Sequence, residues 1–170
     1  MKLLIHDIEN EQFSALFSKM GDDVTVISDN NTIHSCLGCF GCWVKTPGVC
    51  VIKDDYQRMG ELLSRCDELI LISRCYYGGF SPFVKNVLDR SISYILPYFT
   101  IRNQEMHHKS RYRKQIKLSA IVYSKDMTEK EKKTMEYLVT ANALNMNILD
   151  YKVVFCGSTK NAAELWRDMQ

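Results

Sequence analysis

Leu69-Ile70-Leu71-Ile72 runs into Arg74-Cys75-Tyr76-Tyr77-Gly78-Gly79-Phe80 and then Ser81-Pro82. Four apolar residues without alternation fit a parallel strand covered on both faces. The two glycines predict a turn, and Ser81-Pro82 predicts a helix start, serine as cap and proline in the first turn. Phe83, Val84, Val87 and Leu88 then give that helix one apolar face. Strand, loop and helix in that order form half of a βαβ unit, and the rest of the chain repeats the alternation.

Upstream, Lys2 to His6 reads as a first strand. Phe13, Leu16, Phe17 and Met20 recur at helical spacing up to Gly21, and Val24, Val26 and Ile27 form a second strand. Asp54-Asp55 are expected to supply negative charge to the start of a helix carrying Met59, Leu62 and Leu63. Downstream, Leu118 to Tyr123 is a fourth strand. Thr128-Glu129-Lys130-Glu131 is a capping box before a helix reaching about Leu144. Tyr151 to Phe155 is a fifth strand, and Ala162 to Met169 a final short helix. Five parallel strands with helices on both sides predict a three-layer, doubly wound α/β unit of order 2-1-3-4-5, one domain spanning 1–170.

Composition narrows the function. Among 170 residues, 46% are hydrophobic and 25% charged, as in ordinary globular chains. A net charge of +2 gives no basis for nucleic-acid binding. No apolar run is long enough for a membrane helix, and no secretory leader is visible, so the expectation is a cytosolic protein. Seven cysteines is an odd count, which argues against a disulfide framework there. Cys36, Cys39, Cys42 and Cys50 fall close together, while Cys66, Cys75 and Cys156 read as plain buried residues.

The spacing Cys36-x2-Cys39-x2-Cys42-x7-Cys50 lets one short loop present three thiolates and bring in a fourth after Pro47-Gly48. Gly38 and Gly41 in the gaps permit tight curvature. The residues leave four readings open: a [4Fe–4S] cluster, a structural zinc site, metal-free redox thiols, or a packing loop with unligated cysteines. His6 reads as structural, and the adjacent pair His107-His108 is a poor chelator. No serine–histidine–acid set, phosphate loop or carboxylate pair points to a hydrolase, and no side chain is assigned as catalytic.

Two motifs carry a resemblance. Tyr76 to Arg90, with Tyr-x-Gly-x-x-Ser-Pro-x-x-Lys followed by Asp89-Arg90, resembles the flavin-ring segment of NAD(P)H-dependent FMN reductases of the flavodoxin-like fold. Cys36-Leu37-Gly38-Cys39-Phe40-Gly41-Cys42-Trp43, Thr46-Pro47-Gly48-Val49-Cys50 and Asp54-Asp55 resemble their cysteine-bearing branch, the iron–sulfur flavoproteins. The resemblance implies FMN against Tyr76, Tyr77, Gly78, Gly79, Phe80 and Ser81, a [4Fe–4S] cluster on the four cysteines, NAD(P)H or a ferredoxin-like protein as electron donor, and a homodimer or homotetramer.

The sequence departs from that family after strand one. His6-Asp7-Ile8-Glu9-Asn10-Glu11 holds three carboxylates and no glycine, serine or arginine, where the family grips the flavin phosphate. Carboxylates repel a phosphate dianion. Ser124-Lys125-Asp126-Met127, after strand four, also lacks the family's glycine. Arg102 to Lys117 has six basic residues against one acidic, and reads as a solvated loop or subunit contact that supplies phosphate charge only by folding over the crevice. The acidic loop motivates a second reading, a binding or regulatory module that has lost its flavin; zinc-bound structural protein is a third.

Overall fold

The computed structural model describes residues 1–18 and 20–169. Its main sheet contains β1 (Lys2–His6), β2 (Val24–Ile27), β3 (Glu68–Arg74), β6 (Lys117–Tyr123) and β7 (Asp150–Cys156). The spatial order is β2-β1-β3-β6-β7 and every pairing is parallel. Taken in chain order these five strands run 2-1-3-4-5, as expected. The helices are α1 (Asn10–Leu16), α2 (Gly41–Val44), α3 (Met59–Arg65), α4 (Pro82–Arg90), α5 (Glu129–Met146) and α6 (Thr159–Asp168). A 3-10 turn, Ile92–Tyr94, follows α4.

Side-chain alternation sorts the apolar strand residues into two cores. Leu3, Ile5, Leu69, Leu71 and Leu118 pack against α3, α4 and α5. Leu4, Ile70, Ile72 and Ile121 pack against α1 and α6. Each fully buried Leu or Ile contributes roughly 1.5–3 kcal/mol, so an unalternating strand is stable only with both faces covered.

The expected caps form. Ser81 Oγ accepts the Val84 N–H, with Pro82 opening α4. Thr128 and Glu131 make the reciprocal box at α5. Asn147 in the left-handed region (φ 58°) ends that helix.

Three expectations are corrected. Helix α1 ends at Leu16; Met20 still packs on the second core from the following segment, and Gly21 has no left-handed capping role. Asp54 does not serve the start of α3, whose N-cap is Arg58; the carboxylate is buried against Arg90. The first part of the stretch read as a basic loop, Arg102 to Ser110, belongs to an antiparallel hairpin of β4 (Ile95–Arg102) and β5 (Glu105–Ser110). Asn103 and Gln104 both take positive φ at its tip, the backbone twist of a two-residue hairpin turn. The cations of Arg102 to Lys117 do not line the strand-end crevice. Arg102 donates to Leu144 O (3.0 Å), Arg111 Nε to Ser93 O (2.8 Å) and Lys114 Nζ to Arg65 O (2.9 Å). Among the described residues, no helix is long and apolar enough to cross a membrane.

Candidate functional site

The carboxyl ends of the strands frame a cavity of about 680 Å3, within the range of small-molecule sites. Asp7 and Glu9 enter from the loop after β1, Arg74 and Tyr76 from β3, and Tyr123 and Lys125 from β6. Ser81, Pro82 and Phe83 close one side with the start of α4.

The six residues expected around a flat ring divide into three roles. Tyr76 and Ser81 border the cavity. Tyr77 and Gly78 form the tip of a tight turn at φ 51° and 81°, held by mutual Tyr76–Gly79 backbone hydrogen bonds of 2.9 and 2.8 Å. Tyr77 is 92% exposed and points away from any enclosed surface. Phe80 is buried in the core beneath, and Ser81 is chiefly the α4 cap, its N–H donating to Ser73 Oγ at 2.9 Å. The Arg74 guanidinium lies over the Tyr76 ring, 5.5 Å from its centroid.

Sequence reading treated Asp7 only as a negative charge. In the structure it ties the sheet edge together. Its carboxylate accepts the Arg74 backbone N–H (2.8 Å) and the Tyr123 hydroxyl (3.0 Å), fastening the loop after β1 to the ends of β3 and β6. Burial, then the Asp7 charge, pushes the Tyr123 phenol well above its ordinary value, so it stays a donor. Glu9 and Asp29 add two more carboxylates to the cavity lining, against the cations of Arg74 and Lys125. At the other end Tyr76, Pro82 and Phe83 give the cavity flat, apolar walls that suit a planar ring such as a flavin's. The loop after β1 does not fit its phosphate, because the place of the usual donors is taken by acceptors.

The cysteine segment packs on the other end of α4. Cys36 N–H donates to Asn86 Oδ1 (3.2 Å), docking the segment on that helix. Gly38 (φ 61°) and Phe40 (φ 54°) then reverse the chain into α2. Gln57 brackets Cys50, accepting its N–H at 3.0 Å and donating to its carbonyl at 2.9 Å. All four cysteines line one small pocket of about 40 Å3 with Ile52, Asp89, Arg90 and Ile92. Cys42 and Cys50 are buried, Cys36 and Cys39 exposed. Burial first, then the charge of Cys50 and, more weakly, of Cys36 and Cys39, pushes the Cys42 thiol up.

Four thiols around one pocket supply the donor chemistry of an iron–sulfur cluster. Among the described residues, no three of His, Cys, Asp or Glu converge on a point that would hold one metal ion. The other cysteines lie elsewhere: Cys66 and Cys75 in the first core, Cys156 at the edge of the second. Trp43 is a packing residue. Its Nε1 donates to Ile95 O (3.0 Å), and its ring lies between Phe40 and His108, with centroids at 5.2 and 4.9 Å. His107 and His108 point apart, to Asn145 Oδ1 and Leu96 O.

The Arg90–Asp54 pair escaped the sequence reading. Both side chains are buried, at 0% and 4% exposure, with Nη2 and Nη1 donating to the two Asp54 oxygens at 2.7 and 2.8 Å. The Arg90 hydrogen bonds hold the Asp54 carboxyl far below the usual carboxylate range despite burial. Asp89-Arg90 belongs to the motif that carries the resemblance, but only the fold shows which carboxylate meets Arg90.

The order of the sheet, its helices on both faces and the cavity at the strand carboxyl ends define a flavodoxin-like α/β protein. No protein-family model matches the chain. Over 87 residues it is 29% identical to an iron-sulfur flavoprotein of Archaeoglobus fulgidus, covering 51% of this chain and 42% of that one. Over 59 residues it is 37% identical to an iron-sulfur flavoprotein of Methanocaldococcus jannaschii, covering 35% and 30%. The matches thus span less than half the length of these curated relatives. The structure of an FMN-dependent NADH-azoreductase from Bacillus anthracis, in complex with FMN, superposes with a TM-score of 0.57 at 9% identity, covering 99% of this chain and 96% of that one. The chain therefore has the flavodoxin-like fold, and over part of its length it is similar in sequence to iron–sulfur flavoproteins.

Proposed function

We propose that the protein is an FMN-dependent oxidoreductase that takes electrons from NAD(P)H or a ferredoxin-like donor and carries a [4Fe–4S] cluster on Cys36, Cys39, Cys42 and Cys50. The observation that carries this reading is the placement of the two sites at opposite ends of one helix. The start of α4 borders the 680 Å3 crevice, and its last residues, Asp89 and Arg90, line the four-cysteine pocket. A nine-residue helix is about 13 Å long, so the sites are neighbours.

When bound, a flavin supplies the conversion between hydride and single-electron chemistry, and a cluster supplies one-electron steps. The chain's own part is positioning. Tyr76 and Phe83 offer flat surfaces to a ring in the crevice, and the left-handed turn at Tyr77-Gly78 fixes where Tyr76 stands. No acid or base is required of a side chain. The 170 residues act as one domain in this reading, and the exposed Tyr98, Phe99, Ile101 and Met106 of the hairpin favour contact with a second copy in a homodimer or homotetramer.

The test is anaerobic purification followed by a visible spectrum and assay of flavin, iron, labile sulfide and zinc per chain. About one flavin, four irons and four sulfides are expected, with Cys42→Ser/Cys50→Ser losing the iron and keeping the flavin. Stoichiometric zinc in place of iron refutes the cluster and supports the zinc reading. A second reading, a module without flavin, is favoured by the carboxylates at the phosphate end. Calorimetric titration showing no FMN binding at micromolar concentration selects it over the oxidoreductase.

A further inference from the structure

An arginine has five N–H donors. In Arg90, four have acceptors: Nη1 donates to His34 O (2.7 Å) and Asp54 Oδ2 (2.8 Å), and Nη2 to Asp54 Oδ1 (2.7 Å) and Ile52 O (3.4 Å). The fifth, Nε–H, is buried without a partner. The two carbonyls flank the cysteine segment, His34 two residues before Cys36 and Ile52 two after Cys50. Asp54 adds to the closure by accepting the His34 backbone N–H at 3.1 Å. One guanidinium–carboxylate unit thus fastens both ends of the segment to the end of α4. The same Arg90 lines the pocket with all four thiols, with Cys50 against its guanidinium.

A buried ion pair by itself is weak evidence for anything, since apolar residues of equal volume often serve stability as well. What apolar residues cannot do is bind two carbonyls and keep one N–H unpartnered on a side chain that lines a sulfur pocket. An unpartnered buried donor is destabilising, a cost that disappears when an acceptor occupies the pocket. Hydrogen bonds to sulfur raise the reduction potential of a thiolate-held cluster.

We propose that Arg90 is the positioning residue of the cysteine pocket: it closes the segment at His34 and Ile52, and its Nε–H donates to a sulfur of the occupant, raising its reduction potential. The second half rests on the cluster reading above; the first half does not.

The variants are Arg90→Lys, which keeps the charge but has no Nε–H and no fork, and Asp54→Asn, which keeps the guanidinium but loosens it. In reduced, metal-free protein, iodoacetamide labelling read by peptide mass spectrometry should be at least tenfold faster at Cys42 and Cys50 in both variants. Cys66, buried at the end of α3, should label at the wild-type rate, reporting an intact core. Lys117→Ala, an exposed pair at the other end of the sheet, should change neither. In reconstituted protein, Arg90→Lys should lower the potential by a tenfold change in the reduction equilibrium, about 59 mV for one electron. Asp54→Asn should raise it, because an uncompensated cation then borders the pocket. Opposite signs are the signature, since loss of structure alone would not give them. Wild-type labelling rates at Cys42 and Cys50 overturn the closure. Unchanged potentials, or shifts of one sign, overturn the donor role. A wild-type protein that takes up no iron overturns the cluster reading and the donor role with it, while the labelling still decides the closure. If Arg90→Lys does not fold, Arg90→Gln, which also lacks the Nε–H, takes its place in both measurements with the same expected signs.

Discussion

Gly78→Ala isolates the turn that sets Tyr76 beside the crevice. Gly78 has φ 81°, and an added Cβ would stand 2.7 Å from Thr134 Cβ, 3.0 Å from Thr134 Cγ2 and 3.1 Å from the Glu131 carbonyl. The backbone cost of left-handed φ for an L-residue is roughly 1–2 kcal/mol. The overlap falls on α5 itself, including its backbone, so relief requires the helix or the turn to move, at about 1–3 kcal/mol. The sum is about 3 kcal/mol, or roughly 6–12 °C in Tm for a chain of this size. Gly38→Ala is the built-in comparison: φ is 61°, and no heavy atom lies within 4 Å of the added Cβ. It should cost only the backbone part, about 1 kcal/mol. Urea denaturation with a common m-value measures both. Equal losses for the two variants would refute the reasoning, because the contact with Thr134 would then contribute nothing. Gly78→Ala should also weaken flavin binding, which Gly38→Ala should leave unchanged.

Asp54→Asn should cost about 3–5 kcal/mol at neutral pH, as expected when one partner of a buried pair is removed; a loss under 1 kcal/mol by urea denaturation would contradict it. The wild-type contribution has a defined pH sense: the folded carboxyl ionises far more readily than the unfolded one, so the stability is present above about pH 4 and is lost as acid protonates the native pair. His6 acts at higher pH. Its Nδ1 accepts the Ile8 N–H (3.2 Å), its ring stacks on Phe13 at 3.7 Å, and burial lowers its pKa from 6.5 to about 4. The unfolded chain therefore takes up this proton first, and stability should fall by up to about 3 kcal/mol between pH 6.5 and 4. His6→Leu should remove that slope in a pH series of urea melts; a slope that persists would assign it elsewhere. In the crevice, Glu9→Gln should favour FMN over riboflavin by about fivefold, ~1 kcal/mol, because only the phosphate senses the charge. An unchanged FMN-to-riboflavin ratio in calorimetry would place the phosphate away from this loop.

The parallel sheet was legible because its signals are local and repeated. Leu69 to Ile72 and Leu118 to Tyr123 lack the alternation of a half-exposed strand, and Ser81-Pro82 and Thr128 to Glu131 carry their caps in the sequence itself. The hairpin was less legible. Glu105 to Ser110 is polar on both faces, and Asn103-Gln104 is a weak turn signal, so only the pairing of Phe99 with His108 and Thr100 with His107 reveals strands there. Asp54 was misread for a related reason: a carboxylate ahead of a helix suits the helix start, and a buried guanidinium thirty-six residues later leaves no mark on local sequence.

By itself the sequence determined which residue types lie close along the chain: the four thiols within one short loop, the glycines that bend it, and the acidic loop where a phosphate grip would stand. Such features follow from backbone geometry over a few residues. Only the tertiary structure decided which distant groups meet: Asp7 with Arg74 and Tyr123, Arg90 with His34, Ile52 and Asp54, and the crevice and thiol pocket at the two ends of α4. Those contacts exist because the parallel sheet brings loops far apart in sequence to one edge. Their partners are chosen by burial and charge compensation in three dimensions, which no spacing along the chain encodes.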